Sequence, residues 1–422
     1  MNTIYCVLTS VYTQDIFSTP TRRVLFHGIS RYDERLLIVA DVHQIKFYPV
    51  GNGDTTQIIT AKGKRILFDF CHRANAEDED NPAIDLKAAL KAELDAAERD
   101  YFDVVAFTHA DLDHIRGSTE FFWLEQSKTY HADERIKIRE LWVPAAMVVE
   151  EVEMDQKSEE FAILRQEARH RILEGTGIRV FSKPQKLLDW LVPRLEARGE
   201  KPDARDYLFV DAGEMVPGFD IDLDQIEFFC HSPFIKHCDE GDVVRNSAAL
   251  VFNVRLRADG YDYDYLEVGD AEWCDIEDIV NTTRYHNNDD RLKWDLFNIP
   301  HHCSYKALSD EKGQYETIPK DLVKELLLEG KEGAYIVSCS KPIPDTKEAY
   351  DEVQPPHIQA RKAYERYLKQ VQGRKFLVTM EEPNANQPKP IVFEITAGGV
   401  SWIKSVVSGA PAIISSTPPR AG

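Results

Sequence analysis

The segment Thr108-His109-Ala110-Asp111-Leu112-Asp113-His114 constrains this chain more than any other stretch. It follows directly on Phe102–Thr108 (FDVVAFT), an apolar, partly β-branched run that predicts a buried strand. Four side chains able to ligate a metal, His109, Asp111, Asp113 and His114, thus fall within six residues at the carboxyl end of a strand. Carboxylates this close repel each other and resist ionising together unless a cation compensates. If the backbone turns after the strand, alternate residues need not share a side, and one loop can feed two neighbouring ions. Two ions about 3.5–4 Å apart can share a hydroxide and clamp both the attacking and the leaving oxygen of a hydrolysis. The carboxyl end of a strand is also the usual position of a site in an α/β layer.

The chain has 422 residues, 43% of them hydrophobic, enough for one large α/β domain with insertions or for two domains. No run approaches the roughly 18 apolar residues of a membrane-spanning helix. The start of the chain lacks the basic-then-apolar order of a secretory signal. The expected location is the cytoplasm, with no membrane partner. The cysteines Cys6, Cys71, Cys230, Cys238, Cys274, Cys303 and Cys339 are odd in number and form no C-x-x-C pair. They read as reduced, mostly buried thiols rather than a disulfide framework or a zinc knuckle. The net charge of -21 argues against tracking duplex DNA through many phosphates, which needs a basic face. It favours a small anionic substrate neutralised by metal ions, such as a nucleotide, or nucleic acid reached only at its end.

Along the chain, residues 1–40 read as an N-terminal extension, with Arg35–Ala40 (RLLIVA) a candidate strand, and residues 406–422 as a flexible tail. Between them, 41–405 read as one domain. Val42–Val50, Thr56–Thr60 and Arg65–Phe70, with glycine-bearing turns between them, predict successive antiparallel strands. Leu86, Leu90, Leu94 and Ala97 predict a helix within Asn81–Asp100, and Ile136–Val143 another strand. The charged stretch from about 145 to 225 reads as a helical insertion, with helices at Ser158–Leu173 and Gln185–Ala197. Either these form an ordinary packing pair, or they make a lid or a surface for a protein partner. Strand character resumes at Ile226–Phe229, Ala248–Arg255, Asp264–Val268, Leu296–Ile299 and Ala334–Ser338. A helix over Ile358–Val371 follows, then Phe376–Met380 and Ile391–Thr396 as a closing hairpin.

The run THADLDHIRG resembles the H-x-[HD]-x-D-H signature of the metallo-β-lactamase superfamily. The match is to the branch with Asp in the second position, found in the hydrolase domain of ComEC-type DNA-uptake proteins and their soluble relatives. Arg116 stands where that branch has a glycine. Further elements follow in the expected order. Gly51-Asn52-Gly53-Asp54 resembles G-x-G-D, and Asp69 closes a strand where the family has an acidic residue. Gly269-Asp270-Ala271 resembles the segment of the bridging aspartate, and Pro300-His301-His302-Cys303-Ser304 resembles H-H-G-S, with Cys303 in the glycine position. Asn246-Ser247 matches only loosely. The resemblance runs from about Val42 to Ile403 and leaves 145–225 unmatched.

This resemblance implies an α/β fold, an αββα sandwich with two divalent ions at one edge. It implies His109 and Asp111 for the first ion, Asp113 and His114 for the second, and Asp270 as bridge. His301 or His302 would complete the second site; the sequence does not separate them, and His301 is preferred because it comes directly off its strand. A further ligand to the first ion is expected before Asp270, with His231, His237 and Asn246 as candidates, although a satisfied core or loop histidine is the preferred reading of His231. Asp54 and Asp69 are expected to orient the ligating histidines or to serve as turn-forming acceptors; Ser304 and His357 are candidates to lie near substrate, with a helix N-terminal role the preferred reading of His357. His43, His72, His131, His170 and His286 lack context and are expected at the surface.

The implied chemistry is hydrolysis by a metal-bridged hydroxide, with Asp113 orienting it or accepting its proton. Asp111 in place of a histidine hardens the first site, so Mn²⁺ or Mg²⁺ competes with Zn²⁺ there. A phosphodiesterase or nuclease is the first expectation. The alternatives are a hydrolase of a small ester, lactone or thioester, and an effector or interaction module with secondary catalysis.

Overall fold

Period-two burial builds the first strands. β1 (His43–Phe47) alternates buried and half-buried residues and pairs antiparallel with β2 (Thr56–Ile59), which pairs with β3 (Arg65–Phe68). α1 (Leu86–Ala96) buries Leu86, Leu90 and Leu94 at i, i+4 spacing, and Asp85 caps it by accepting from Ala88 N. It carries the chain to β4 (Tyr101–Ala106), which lies parallel beside β3. Two single-turn helices follow, α2 (Leu112–Ile115) and α3 (Ser118–Phe121), then β5 (Lys137–Pro144), parallel to β4. The computed structural model describes residues 41–73, 75–78, 81–150, 159–239 and 246–404, and these described residues belong to one compact unit. The candidate strand Arg35–Ala40, the extension and the tail lie outside the described residues.

The stretch expected to be a helical insertion does hold α4 (Ala145–Val149), α5 (Glu159–Glu174) and α6 (Gln185–Ala197). It also holds β6 (Ile178–Phe181) and β7 (Phe209–Val210), which extend the first sheet in parallel beyond β5. These strands have four and two residues, set among the longer helical patterns of a charged stretch.

The second sheet begins with β8 (Ile226–Ser232). After α7 (Ile235–Asp239) come β9 (Val251–Ala258) and β10 (Tyr261–Glu267). α8 (Trp273–Tyr285), β11 (Trp294–Asn298), α9 (Asp321–Leu328), β12 (Gly330–Ser338), α10 (Ile358–Gln370) and β13 (Lys375–Val378) complete it. β14 (Ile391–Thr396) and β15 (Gly399–Ile403) return to the first sheet. The expected closing hairpin is therefore corrected: its two strands belong to different sheets, and the hairpin is β14–β15.

The nine-stranded sheet runs β15-β14-β1-β2-β3-β4-β5-β6-β7 and the six-stranded one β13-β12-β11-β10-β9-β8. Their facing sides share one apolar core that includes Phe47, Phe68, Trp142, Phe228, Phe252 and Tyr265. α1, α4, α5 and α6 pack on the outer side of the first sheet, and α8, α9 and α10 on that of the second. This is the αββα sandwich that the resemblance implies. Within it, β3 and β4 of one sheet and β10 and β11 of the other are parallel pairs whose carboxyl ends lead into Asp69, His109, Asp270 and His302.

Candidate metal centre

The two sheets are tied together where these strands end. Leu250 N donates to Thr108 O across the sheets, while His301 N, after β11, donates to Gly269 O, after β10, within the second sheet. Gly269 has φ 54°, and a Cβ there would stand 3.2 Å from that of Thr108, so glycine eases the close approach of the two strand ends. Asp54 arrives on the loop after β1, where Asp54 N donates to Asp113 O. Gly53 permits that approach, since a Cβ would fall 2.6 Å from Cys71 Sγ and 3.0 Å from Asp113 O. Phe70 N donates to His114 O and His72 N to Arg116 O, which pins α2 beside the end of β3.

Each imidazole here is oriented through Nδ1. His114 Nδ1 donates to Asp69 Oδ2 at 2.6 Å. Thr108 gives its hydroxyl proton to the same oxygen at 2.6 Å, so it accepts from His109 Nδ1 at 3.1 Å. His302 Nδ1 donates to Cys339 O at 2.9 Å. Each Nε2 is left facing carboxylates. His109 Nε2 lies 3.8 Å from Asp111 Oδ2 and 3.7 Å from Asp270 Oδ2. His114 Nε2 lies 3.3 Å from Asp270 Oδ1 and 3.6 Å from Asp54 Oδ2, and His302 Nε2 lies 3.0 Å from Asp113 Oδ2. The buried atoms His109 Nε2, His114 Nε2, Asp54 Oδ1 and Asp270 Oδ1 make no hydrogen bond. One donor atom from each of Asp54, His114, Asp270 and His302 lies within 4.8 Å of all the others.

Buried lone pairs aimed at one another need a positive charge between them. Without a metal, protons supply it. Burial works against a charge on His114, but Asp270 and Asp69 raise its pKa well above the ordinary value. Burial likewise opposes a charge on His302, while Asp270, the bond to Asp113 and Asp54 lift it to about 9. Burial would raise Asp113 and Asp270, yet the neighbouring imidazolium groups hold both carboxyls below the usual range. Asp54 is pushed up to about 6 by burial, and His109 is lowered by burial and by the charge on His114. A divalent cation does the same work as these protons with the donor set present, so the residues fit one.

The structure places the remaining sequence candidates as follows. His302, not the preferred His301, joins the cluster. His301, His302 and Cys303 are left-handed, with φ of 52°, 51° and 65°, and of the two imidazoles only that of His302 belongs to the four-residue cluster. Each such residue costs roughly 1–2 kcal/mol, offset by bonds from His302 Nδ1 to Cys339 O and from His357 N to Cys303 O. His231 takes the preferred reading, a satisfied core histidine: its nitrogens bond Thr283 Oγ1 and Arg291 O, and burial lowers its pKa to about 4. His237 faces Asp275 and Asp278 instead of the cluster. His357 and Ser304, candidates to lie near substrate, serve the turn itself. His357 Nδ1 accepts from Tyr305 N and its Nε2 donates to Val353 O, and Ser304 Oγ accepts from Lys306 N. His43 and His72, expected at the surface, are buried.

Sequence reasoning missed how close Asp54 comes; its place directly after Gly53, in a turn that Gly51 opens, was the available signal. It also missed Thr108, which adjoins His109 in the motif. A third omission is the buried group behind the cluster: Glu267 bonds Tyr265 Oη and accepts from Asn298 Nδ2, and Cys339 Sγ lies 3.5 Å from Asn298 Oδ1. The signal there was a glutamate inside the apolar strand DYLEV.

No family model and no curated protein matches the chain. Solved structures that align with it include the native FEZ-1 metallo-β-lactamase from Legionella gormanii, at 14% identity and a TM-score of 0.23. That alignment covers 53% of this chain and 62% of the lactamase, so the chain spans less than two thirds of that protein. A diphosphatase from the PhnP family aligns at 9% identity and a TM-score of 0.29, over 84% of this chain and 98% of the other. Superpositions this loose assign neither fold nor activity. Among the described residues, no helix is long and apolar enough to cross a membrane.

Proposed function

We propose that this chain is a metal-dependent hydrolase acting on phosphodiesters, either a phosphodiesterase or a nuclease working at nucleic-acid ends. One observation carries the reading: three imidazoles from both sheets each spend Nδ1 on a neighbouring oxygen and turn Nε2 toward carboxylates. The ligands would be His109 and Asp111 on one side, and Asp113, His114, His302 and Asp54 on the other, with Asp270 between. Bound divalent cations would lower the pKa of a shared water and neutralise charge on a phosphoryl group. Asp113, 37% exposed at the mouth of the cluster, is placed to orient that water or take its proton. Asp69 and Thr108 hold the imidazoles in the tautomers that ligate. The acidic net charge supports a substrate whose phosphates are met by ions, not by a broad basic face.

The test is turnover of bis-p-nitrophenyl phosphate and of single- and double-stranded DNA with Mn²⁺ or Zn²⁺, beside a panel of esters, lactones and thioesters. Metal-dependent phosphodiester cleavage is expected. Cleavage of the carbon esters alone would replace the substrate class. Bound metal with no turnover on any of them would favour an interaction role.

A further inference from the structure

A cleft of about 450 Å³ opens between α5 and α6, on the helical layer outside the first sheet, and shares no residue with the metal centre. α5 lines it with Gln166, Arg169 and His170, α6 with Trp190 and Arg194, and the segment before β5 with Gln126. In a chain of net charge -21, two guanidinium groups and an imidazole meet in this cleft, and among the described residues no carboxylate lines it. The cations are held in place. The guanidinium carbons of Arg169 and Arg194 stand 5.2 and 5.0 Å from the centre of the half-buried Trp190 ring, within cation–π range. Arg169 Nε donates to Val148 O at 3.0 Å, and Arg194 Nη1 to Trp190 O at 2.6 Å. Both bonds end on carbonyl oxygens, which orient a guanidinium without cancelling its charge. A buried ion pair fixes another wall. Glu167 pairs with Arg171 at 2.6 Å within α5 and also accepts from Glu125 N and Gln126 N, which clamps the Gln126 segment to the helix. Gln126 Nε2 donates to Ile163 O, and the Gln166 amide is exposed.

We propose that this cleft is a second ligand site, separate from the metal centre, and that it binds a nucleoside monophosphate. A planar guanidinium meets phosphate oxygens through paired N–H donors. Two of them beside an imidazole suit a phosphate monoester, whose charge is about -2 at neutral pH. Guanidinium and indole planes are stacking surfaces for a nucleobase, and glutamine amides bring a donor and an acceptor to its edge. The volume falls within the roughly 300–1,000 Å³ of small-ligand sites, which favours a single nucleotide over a longer strand. A ligand with the phosphate but no base fills only the cationic part. One with the base but no phosphate forfeits the charge-assisted bonds.

The experiment uses the full chain in the presence of a metal chelator, so that the centre offers no ion to a phosphate. Adenosine, guanosine, cytidine and uridine monophosphates are titrated calorimetrically beside adenosine, ribose 5-phosphate and inorganic phosphate. At least one nucleotide should bind at one site per chain, about tenfold or more tighter than the ligands that lack base or phosphate. Arg194→Ala, which removes a cation, and Gln166→Glu, which puts a carboxylate in the cleft, should each weaken that nucleotide about tenfold or more. Both positions are exposed, so both variants should fold, and if one does not the other decides. Asp113→Ala, which alters the metal centre, should bind the nucleotide as the wild type does. No nucleotide bound at about 1 mM, inorganic phosphate or ribose 5-phosphate bound as tightly as every nucleotide, or binding unchanged in Arg194→Ala and Gln166→Glu would each overturn the proposal. So would binding that Asp113→Ala abolishes, since the nucleotide would then sit at the centre. None of these results bears on whether the metal-loaded chain is a hydrolase.

Discussion

Asp69 accepts from Thr108 N, Thr108 Oγ1 and His114 Nδ1, so one left-handed residue at φ 54° fixes a strand end and an imidazole together. Asp69→Ala is expected to lower metal affinity roughly 10–100-fold, measured by calorimetric titration; unchanged affinity would remove its orienting role. Asp113→Ala is expected to cut phosphodiester turnover by about 10²–10⁴-fold, checked with the same metal content confirmed in both proteins. His302 gives a pH prediction. Burial opposes its charge, but Asp270, Asp113 and Asp54 raise its pKa from 6.5 to about 9 in the metal-free chain. A raised folded-state value means that this group's stabilisation is complete below 6.5 and is lost as pH climbs through 9. Metal-free protein should therefore melt at progressively lower temperature between pH 6.5 and 9, and metal-loaded protein should not, because the ion replaces the proton. At this scale the sequence pointed to the four polar residues of HADLDH and to Asp270, whose side chains the fold brings near one another. It did not disclose the choice of His302 over His301, which depends on three consecutive left-handed residues whose conformation arises from tertiary bonds.

β10 ends in a glutamate that no strand pattern calls for. Glu267 is buried among Tyr265 and Asn298, and burial first, with Asp54 adding to it, pushes its pKa from 4.5 up to about 8. Between those values only the unfolded chain ionises this carboxyl, so its contribution to stability falls as pH rises. Glu267→Gln should thus gain in melting temperature over wild type across that window and hold a constant difference above pH 8; a difference independent of pH would contradict the assignment. Among the elements, strands with clear alternation or compact apolar runs, β1 to β5 and β8 to β12, were legible. β6 and β7 were not: they are short and lie in a charged stretch whose longer patterns are helical. β13 and β14 read as a hairpin because both are apolar and near in sequence. Only the opposite sheets they join reveal that the link between them crosses the sandwich.

Across the whole molecule, the centre exists because two sheets with parallel strands in each place their carboxyl ends at one edge. The bond Leu250 N to Thr108 O joins the two sheets there, and His301 N to Gly269 O joins the ends of β10 and β11 within the second sheet. The order of the motifs along 42–403 made the sandwich readable, since each polar cluster closes an apolar strand. Distance in the chain hid which side chains meet. Asp54 lies well before His114 in the chain and His302 far beyond both, so Asp54 read as a neighbour of ligands when its oxygen stands among them. The most direct measurement is anomalous diffraction from crystals soaked in Zn²⁺ or Mn²⁺, recorded at the metal's absorption edge. A peak enclosed by Asp54, His114, Asp270 and His302 is the predicted result. Ordered, soaked crystals with no peak there, or with one only on a distant surface, would contradict it.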